Sequence, residues 1–159
     1  MKAIETALSL TQAYKLGIER FEKMLGDEFS KAIELMNKTN EHIIICGMGK
    51  SGLVGRKISS TLASTGTPSI FLHPSEAIHG DLGKVQKKSI VLLISYSGET
   101  EEIIALIPAF KRLNVTIVAL TGVKDSTLAS KADIILDTSV DREACPLNLA
   151  PTTSTMITM

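Results

Sequence analysis

The sequence predicts an α/β fold, a three-layer αβα sandwich with a five-stranded parallel sheet that is preceded by an N-terminal helical segment. Short β-branched apolar segments alternate along the chain with segments in which apolar residues recur every three or four positions. Strands that alternate with helices form right-handed βαβ units, which place helices on both faces of a parallel sheet. The predicted strands span residues 42–46, 69–72, 89–94, 115–120 and 133–136.

The chain before the first strand is predicted to be a helical prefix, residues 1–40. Gly26 and Asp27 permit a break, so the prefix is one long helix or two shorter ones. Its apolar stripe is wider than one sheet face requires, so we expect it to pack on another subunit or simply to cover the sheet. Further helices are predicted over residues 53–64, 99–113 and 124–130, and the polar stretch 73–83 allows a helical turn.

The composition is that of an ordinary globular protein. With 159 residues, 44% hydrophobic and 21% charged, the chain is predicted to form a single domain, residues 1–159. Lysine and arginine together number 17, as do aspartate and glutamate, so no overall field attracts nucleic acid or an anionic membrane. The aromatic content of 4%, without tryptophan, disfavours binding of single strands by base stacking.

The cysteines and the start of the chain indicate a cytoplasmic protein. Cys46 and Cys145 form no CxxC pattern, and Cys46 is predicted to be a small buried hydrophobe. The first residues, MKAIETALSL, are a poor signal peptide because Glu5 and Thr6 interrupt the apolar run. We therefore expect reduced thiols, no zinc site and no membrane span.

The last residues, APTTSTMITM, have the pattern of a helix start. Pro151 is typical of a first helical position, and the hydroxyl residues 152–155 follow it. Because the chain stops after about two helical turns, we expect a truncated C-terminus or the removal of a mobile tail.

The stretch 95–102, SYSGETEE, lies between the predicted third strand and the next helix. It contains three hydroxyl residues, Ser95, Ser97 and Thr100, and one glycine, Gly98. A helix start offers unpaired N–H groups and a positive dipole end to an anion, and hydroxyls add donors. The alternative is a plain helix N-cap, for which one hydroxyl is enough. The larger set favours a phosphate site.

The stretch GMGKSG, residues 47–52, is predicted to be the loop after the first strand. A Walker A loop has four residues between its first glycine and the Gly-Lys pair, whereas this stretch has only Met48 there. Its glycines have the GxGxxG spacing, but no acidic residue ends the second strand, so dinucleotide binding is disfavoured. The glycines permit close approach of a ligand to the backbone, with Lys50 reaching into it.

Three stretches are expected to meet at one edge of the sheet, residues 47–52, 95–102 and 141–155. In an open parallel sheet the ligand lies beyond the carboxyl ends of the strands, at the point where the strand order reverses. Each of these stretches is rich in groups that suit a phosphorylated polyol.

Four motifs in this order, CGMGKSG, HPSEAIHGDLG, SYSGETEE and DREACPLNLAPTTST, resemble the sugar-isomerase (SIS) domain from about Ile43 to the end of the chain. More narrowly, they resemble the D-arabinose 5-phosphate isomerases, which interconvert D-ribulose 5-phosphate and D-arabinose 5-phosphate through an enediol. SYSGET alone marks the broad class, whereas GMGKSG with HGD and REACPLNLAPT is far narrower. The resemblance implies a homodimer or homotetramer, no metal or organic cofactor, and a role in lipopolysaccharide or capsule sugar synthesis.

The resemblance also implies which residues bind the substrate. It assigns the phosphate to the hydroxyls of Ser95, Ser97 and Thr100, in agreement with the independent interpretation of that stretch. Gly49 and Ser51 are added as further substrate-binding residues.

For catalysis the resemblance implies Lys50, Glu102, Glu143 and His79. Lys50 would stabilise the enediolate, and His79 would move a proton between oxygens or help to open the sugar ring. A carboxylate in a closing, water-poor pocket has a raised pKa and becomes a better base. The sequence does not distinguish which carboxylate takes the carbon-bound proton, and we favour Glu143.

Most of these residues have an ordinary structural interpretation as well. Glu102 lies in the first turn of a predicted helix, where the dipole alone favours acids. Glu143 lies in a strand-to-helix connection, where a solvated acid is common, and His79 could simply pair with Asp81. Lys50, between glycines, has no packing role that would explain it. Two further histidines are assigned structural roles: His42 and His73.

The chain also departs from the family. Its members carry a further catalytic histidine downstream, in a His-Pro-Gly-Gly context, and many append paired CBS modules; this chain ends before both. We therefore expect it to bind its ligand and to turn over slowly or not at all. The alternatives are a non-catalytic sugar-phosphate sensor, which would not need Lys50 and Glu143, and an isomerase of another sugar phosphate.

Overall fold

The computed structural model describes residues 2–159 and confirms the predicted sandwich with its parallel sheet. The strands are β1 (Ile43–Gly47), β2 (Ser69–Leu72), β3 (Ile90–Ile94), β4 (Thr116–Thr121) and β5 (Ile134–Asp137). The helices are α1 (Lys2–Met24), α2 (Asp27–Lys38), α3 (Gly49–Ser64), α4 (Pro74–Ile78), α5 (Glu101–Leu113), α6 (Thr127–Lys131) and α7 (Thr153–Thr158), and a 3-10 turn spans Asp81–Lys84. The sheet order is β2-β1-β3-β4-β5.

The central strands are buried on both faces, which is why their sequences are apolar throughout instead of alternating. Ile44 and Cys46 point into one apolar layer, which α5 closes with Phe110. Ile43 and Ile45 point into the opposite layer, which α2 and α3 close. Cys46 is fully buried, as predicted, and burial raises the pKa of its thiol to about 12.

The helical prefix consists of two helices, because the chain breaks at Leu25 and Gly26 between α1 and α2. Met1, which the prediction included, lies outside the described residues. In α2, Ala32 and Met36 pack on the sheet, whereas α1 packs against α7. Several apolar side chains of the prefix stay exposed: Ile4, Leu8, Leu16, Ile18, Leu25, Phe29, Ile33 and Leu35. Within residues 2–159, no helix is long and apolar enough to cross a membrane.

The prediction that residues 47–52 form a loop is wrong, because α3 already begins at Gly49. The backbone turns at Gly49 with a φ of +57°, a conformation that favours glycine. A Cβ atom on Gly52 would lie 2.7 Å from the carbonyl oxygen of Gly47. The glycines therefore let the helix start directly against the end of β1, and Lys50 and Ser51 lie in its first turn.

Candidate active site

The predicted site lies at the reversal point of the sheet, between β1 and β3. These strands are hydrogen-bonded neighbours, with Gly47 opposite Ile94 at their carboxyl ends. From here β1 leads to β2 on one side, while β3 leads to β4 on the other. The connections therefore leave in opposite directions and open a crevice in which α/β proteins of this strand order bind ligands. Helix α3 begins on one side of the crevice and α5 on the other.

Residues 95–100, here called the hydroxyl turn, join β3 to α5 in a tightly bonded conformation. The hydroxyls of Ser95 and Thr100 lie 2.7 Å apart, and the backbone N–H of Gly98 donates to Ser95 Oγ over 3.1 Å. Ser97 Oγ accepts the N–H of Glu99 at 3.2 Å. Thr100 occupies the N-cap position of α5, yet its side chain makes no capping hydrogen bond. Plain capping is therefore not the role of these hydroxyls.

Gly98 anchors the hydroxyl turn to the neighbouring loop. Its φ is +67°, and a Cβ atom at this position would overlap Ser126 Oγ. Its carbonyl accepts the N–H of Leu128 at 3.0 Å, while Ser126 caps α6 through the N–H of Ala129. Glu99 Oε1 accepts the N–H of Thr127 at 2.7 Å. The turn is thus held in shape before any ligand binds.

The start of α3 carries a cation at its positive end. Lys50 is exposed in the first turn, which contains no acidic residue, and the N-cap residue Met48 provides no side-chain cap. A lysine is unfavourable at this end of a helix, because the helix dipole repels it. An anion bound in the crevice would relieve that repulsion and engage both the lysine and the helix dipole.

The carboxylate of Glu143 accepts four hydrogen bonds from the start of α7. Its Oε2 atom accepts the N–H groups of Thr152 (2.8 Å) and Ser154 (3.2 Å) and the hydroxyl of Thr152 (3.0 Å). Its Oε1 atom accepts the hydroxyl of Ser154. Burial of the carboxyl raises its pKa, but these bonds outweigh burial and the net pKa is lowered. The expectation of a raised pKa is therefore wrong for Glu143.

Residues that were not predicted as site residues hold Glu143 in place. The N–H of Glu143 donates to Asn148 Oδ1 over 2.8 Å, and the N–H of Cys145 donates to Thr152 Oγ1 over 3.2 Å. Asn148 adopts a left-handed conformation with a φ of 54°. The hydroxyl cluster at the helix start is visible in the sequence, but its acidic partner nine residues upstream is not signalled by any local pattern.

The three predicted stretches meet in one cavity of about 220 Å³, here called the switch-point cavity. Ser51 comes from the start of α3, Tyr96 from the hydroxyl turn, and Glu143, Ser154 and Thr155 from the last stretch. A larger cleft of about 480 Å³ runs along α1, and its lining includes none of the predicted site residues. The chemistry of the lining therefore favours the smaller cavity.

Within residues 2–159, Ser51 and Glu143 are the only predicted site residues that line the switch-point cavity. Glu102 is half-buried in the first turn of α5, and His79 is exposed at the end of α4, which packs against α5. The alternative pairing of His79 with Asp81 is wrong, because Asp81 forms an ion pair with Lys84 at 2.5 Å. His73 has the structural role that was assigned to it, since its Nδ1 atom accepts the N–H of Ser75 at 3.3 Å.

Comparisons with known proteins found a matching family model and similar proteins. A family model described as the SIS domain matches residues 35–159. Arabinose 5-phosphate isomerase KdsD of Pseudomonas aeruginosa is 54% identical over 85% of this chain and 41% of its own length. Arabinose 5-phosphate isomerase KpsF of Escherichia coli O6:H1 is 52% identical over 83% of this chain and 40% of its own length.

A solved structure is also similar over nearly the whole chain. It is a protein of E. coli CFT073 in complex with arabinose 5-phosphate, with a TM-score of 0.88 and 36% identity over 98% of this chain and 83% of the solved chain. The present chain spans about two fifths of the length of the curated relatives it matches.

Proposed function

Because this chain belongs to the SIS domain family, we propose that it interconverts D-arabinose 5-phosphate and D-ribulose 5-phosphate. The observation that carries the proposal is the switch-point cavity, where Ser51 of α3, Tyr96 of the hydroxyl turn and Glu143 meet the hydroxyl residues of α7. Two relatives with 54% and 52% sequence identity are named arabinose 5-phosphate isomerases. A solved relative is described in complex with arabinose 5-phosphate.

We propose that the phosphate binds at the hydroxyl turn, to Ser95, Ser97 and Thr100, with Gly49 and Ser51 contributing from the start of α3. The dipoles of α3 and α5 both present their positive ends to the crevice, and Thr100 leaves the N-terminal N–H groups of α5 uncapped by its side chain. A phosphate dianion would accept hydrogen bonds from these groups with little rearrangement, because Gly98 already holds the turn.

The isomerisation requires that a proton move between two adjacent carbons. A carboxylate, Glu102 or Glu143, takes the proton from the carbon that bears the hydroxyl, and the electron pair forms the enediolate. Lys50 stabilises the negative charge on the enediolate oxygen. His79 passes a proton between the two oxygens, and the proton then returns to the other carbon.

The test is proton exchange at the second carbon of the sugar. Arabinose 5-phosphate is incubated with the chain in deuterated water, and NMR follows both the label and the appearance of ribulose 5-phosphate. We expect labelled product, and a loss of about 100-fold in rate for Lys50→Ala, as is typical when one charge-stabilising group is removed.

Lys57→Ala is the matched control, because Lys57 lies on the same helix and its ammonium group donates to Thr61 Oγ1. It should leave the rate unchanged. Saturable binding without exchange would overturn the isomerase and indicate a sugar-phosphate sensor. Exchange with a heptulose or hexulose phosphate alone would indicate an isomerase of another substrate.

We propose further that the chain is a single SIS domain that assembles as a homodimer or homotetramer in the cytoplasm and serves lipopolysaccharide or capsule sugar synthesis. The exposed apolar side chains of α1, such as Leu8 (64% exposed) and Leu16 (53%), support an assembly through the helical prefix. Light scattering during size exclusion tests it, and a monomer with full isomerase activity would contradict it.

A further inference from the structure

The carboxylate of Glu143 is engaged by four donors from the start of α7. An ionised carboxylate offers about four lone-pair positions. Three donors converge on Oε2, namely the N–H groups of Thr152 and Ser154 and the hydroxyl of Thr152. The hydroxyl of Ser154 donates to Oε1, so one position on Oε1 stays open. A base that abstracts a proton from carbon must direct a free lone pair at that carbon. The four bonds stabilise the ionised carboxylate and make Glu143 a weak base, with only the remaining position on Oε1 for a substrate.

The same four bonds replace the ordinary N-cap of α7. Thr152 occupies the N-cap position, but its side chain makes no capping bond to the helix. Its hydroxyl instead donates to Glu143 and accepts the N–H of Cys145. The N–H groups at the helix start are therefore satisfied by a side chain from outside the helix, and its negative charge is favourable at the positive end of the dipole.

The position of α7 shapes one wall of the switch-point cavity. On one side, Thr153 and Ile157 pack so closely on α1 that a Cβ atom on Gly17 would lie 2.5 Å from Thr153 Cγ2. On the other side, Ser154, Thr155 and Thr158 line the cavity. Glu143 joins this helix to its own connection through Asn148, so the carboxylate determines where the wall lies.

Glu102 differs from Glu143 in this respect. It is half-buried in the first turn of α5, next to the hydroxyl turn. Its neighbour Glu99 is already bonded to the N–H of Thr127, and within residues 2–159 no side-chain hydrogen bond or ion pair engages Glu102. Its carboxylate keeps acceptor positions for a substrate.

We propose that Glu143 is a positioning residue that holds α7 against the switch-point cavity, and that Glu102 is the carboxylate that takes the carbon-bound proton. This inference rests on the proposed isomerase function for its second half only. The capping role of Glu143 is a property of the ligand-free chain and is testable without any substrate.

The first experiment is hydrogen exchange of the ligand-free chain, followed by mass spectrometry. Glu143→Ala removes all four acceptor contacts, and we expect exchange in residues 152–158 to accelerate at least tenfold. Glu143→Gln keeps one acceptor oxygen and should lie between Ala and the unaltered chain. Glu101→Gln is the control, because Glu101 is an exposed acid in the first turn of α5. It should leave exchange in 152–158 unchanged.

The second experiment measures turnover of arabinose 5-phosphate by the same variants. If Glu143 only positions α7, Glu143→Gln should keep several-fold more activity than Glu143→Ala. Glu102→Gln should abolish proton exchange at the second carbon while residues 152–158 keep their protection. If Glu143 were the base, Glu143→Gln and Glu143→Ala should lose turnover equally, since glutamine and alanine are equally unable to take a proton.

Two results would overturn the inference. One is that residues 152–158 exchange at the same rate in the unaltered chain and in both Glu143 variants, whether they are protected or not. The other is equal loss of turnover in Glu143→Gln and Glu143→Ala, with Glu102→Gln still active. If the unaltered chain does not isomerise the sugar, the proposed function fails, whereas the exchange experiment still decides the capping role.

Discussion

The hydroxyl turn and the C-terminal segment, residues 138–158, both line the crevice but are held in different ways. The hydroxyl turn is fixed by backbone bonds and by the packing of Gly98 on Ser126, between buried strands. The C-terminal segment is fixed by polar side chains, including Glu143 and the ion pair of Arg20 with Asp141 at 2.5 Å. The comparison shows that the hydroxyl turn is anchored in the core, whereas the opposite wall is held by polar side chains together with the packing of Thr153 and Ile157 on α1.

The largest effect is expected from Gly98→Ala, which tests how rigidly the hydroxyl turn is built. A methyl group would overlap Ser126 Oγ, and alanine would also have to adopt a positive φ. We expect a loss of about 2–4 kcal/mol in the free energy of unfolding, measured by urea denaturation. Gly66→Ala separates the two causes, because Gly66 also has a positive φ (+95°) but open space around it. Equal losses in both variants would contradict the packing argument.

An intermediate effect is expected when the C-terminal segment is acidified. The pKa of Glu143 is lowered, because its four hydrogen bonds outweigh burial. The pKa of Asp137 is lowered likewise, with burial opposed by bonds from Ser139 and by Lys124. Carboxyls with a lowered folded-state pKa stabilise the fold above their ordinary pKa, and this contribution is lost as the pH falls through the folded-state value.

The free energy of unfolding should therefore decrease from about pH 5 downwards. Glu143→Gln should flatten this decrease, as followed by urea denaturation at several pH values. Glu101→Gln should leave the shape of the curve unchanged, because Glu101 is exposed. A pH profile that is identical with and without Glu143 would show that its bonds do not contribute to stability.

The smallest effect is expected at the contact between the two regions. The hydroxyl of Tyr96 accepts the N–H of Val140 at 3.2 Å, and its ring packs on Gly122. Tyr96→Phe removes the acceptor and keeps the ring, so the loss should be about 1 kcal/mol. Hydrogen exchange should accelerate in residues 138–142 and stay unchanged in the hydroxyl turn. Acceleration in both regions would show that they are more tightly coupled than the comparison implies.

The fold could be predicted closely because its signals are local. Buried parallel strands have continuous apolar sequences, and amphipathic helices repeat every three to four residues, so all five strands were located within a residue or two. The start of α3 was missed because glycines within residues 47–52 are typical of a loop. Here they instead allow a helix to begin directly against the end of β1.

The sequence by itself determined the α/β class, the order of the elements and the place of the hydroxyl turn at the end of β3. These follow from periodicity and from the rule that ligands bind beyond the carboxyl ends of parallel strands. Only the tertiary structure decided the environment of Glu143, because its pKa and its free lone pairs depend on donors from Thr152 and Ser154. Such contacts span nine to eleven residues of a connection without regular structure, so they leave no periodic trace in the sequence. They exist only once α7 is packed against α1 and α3.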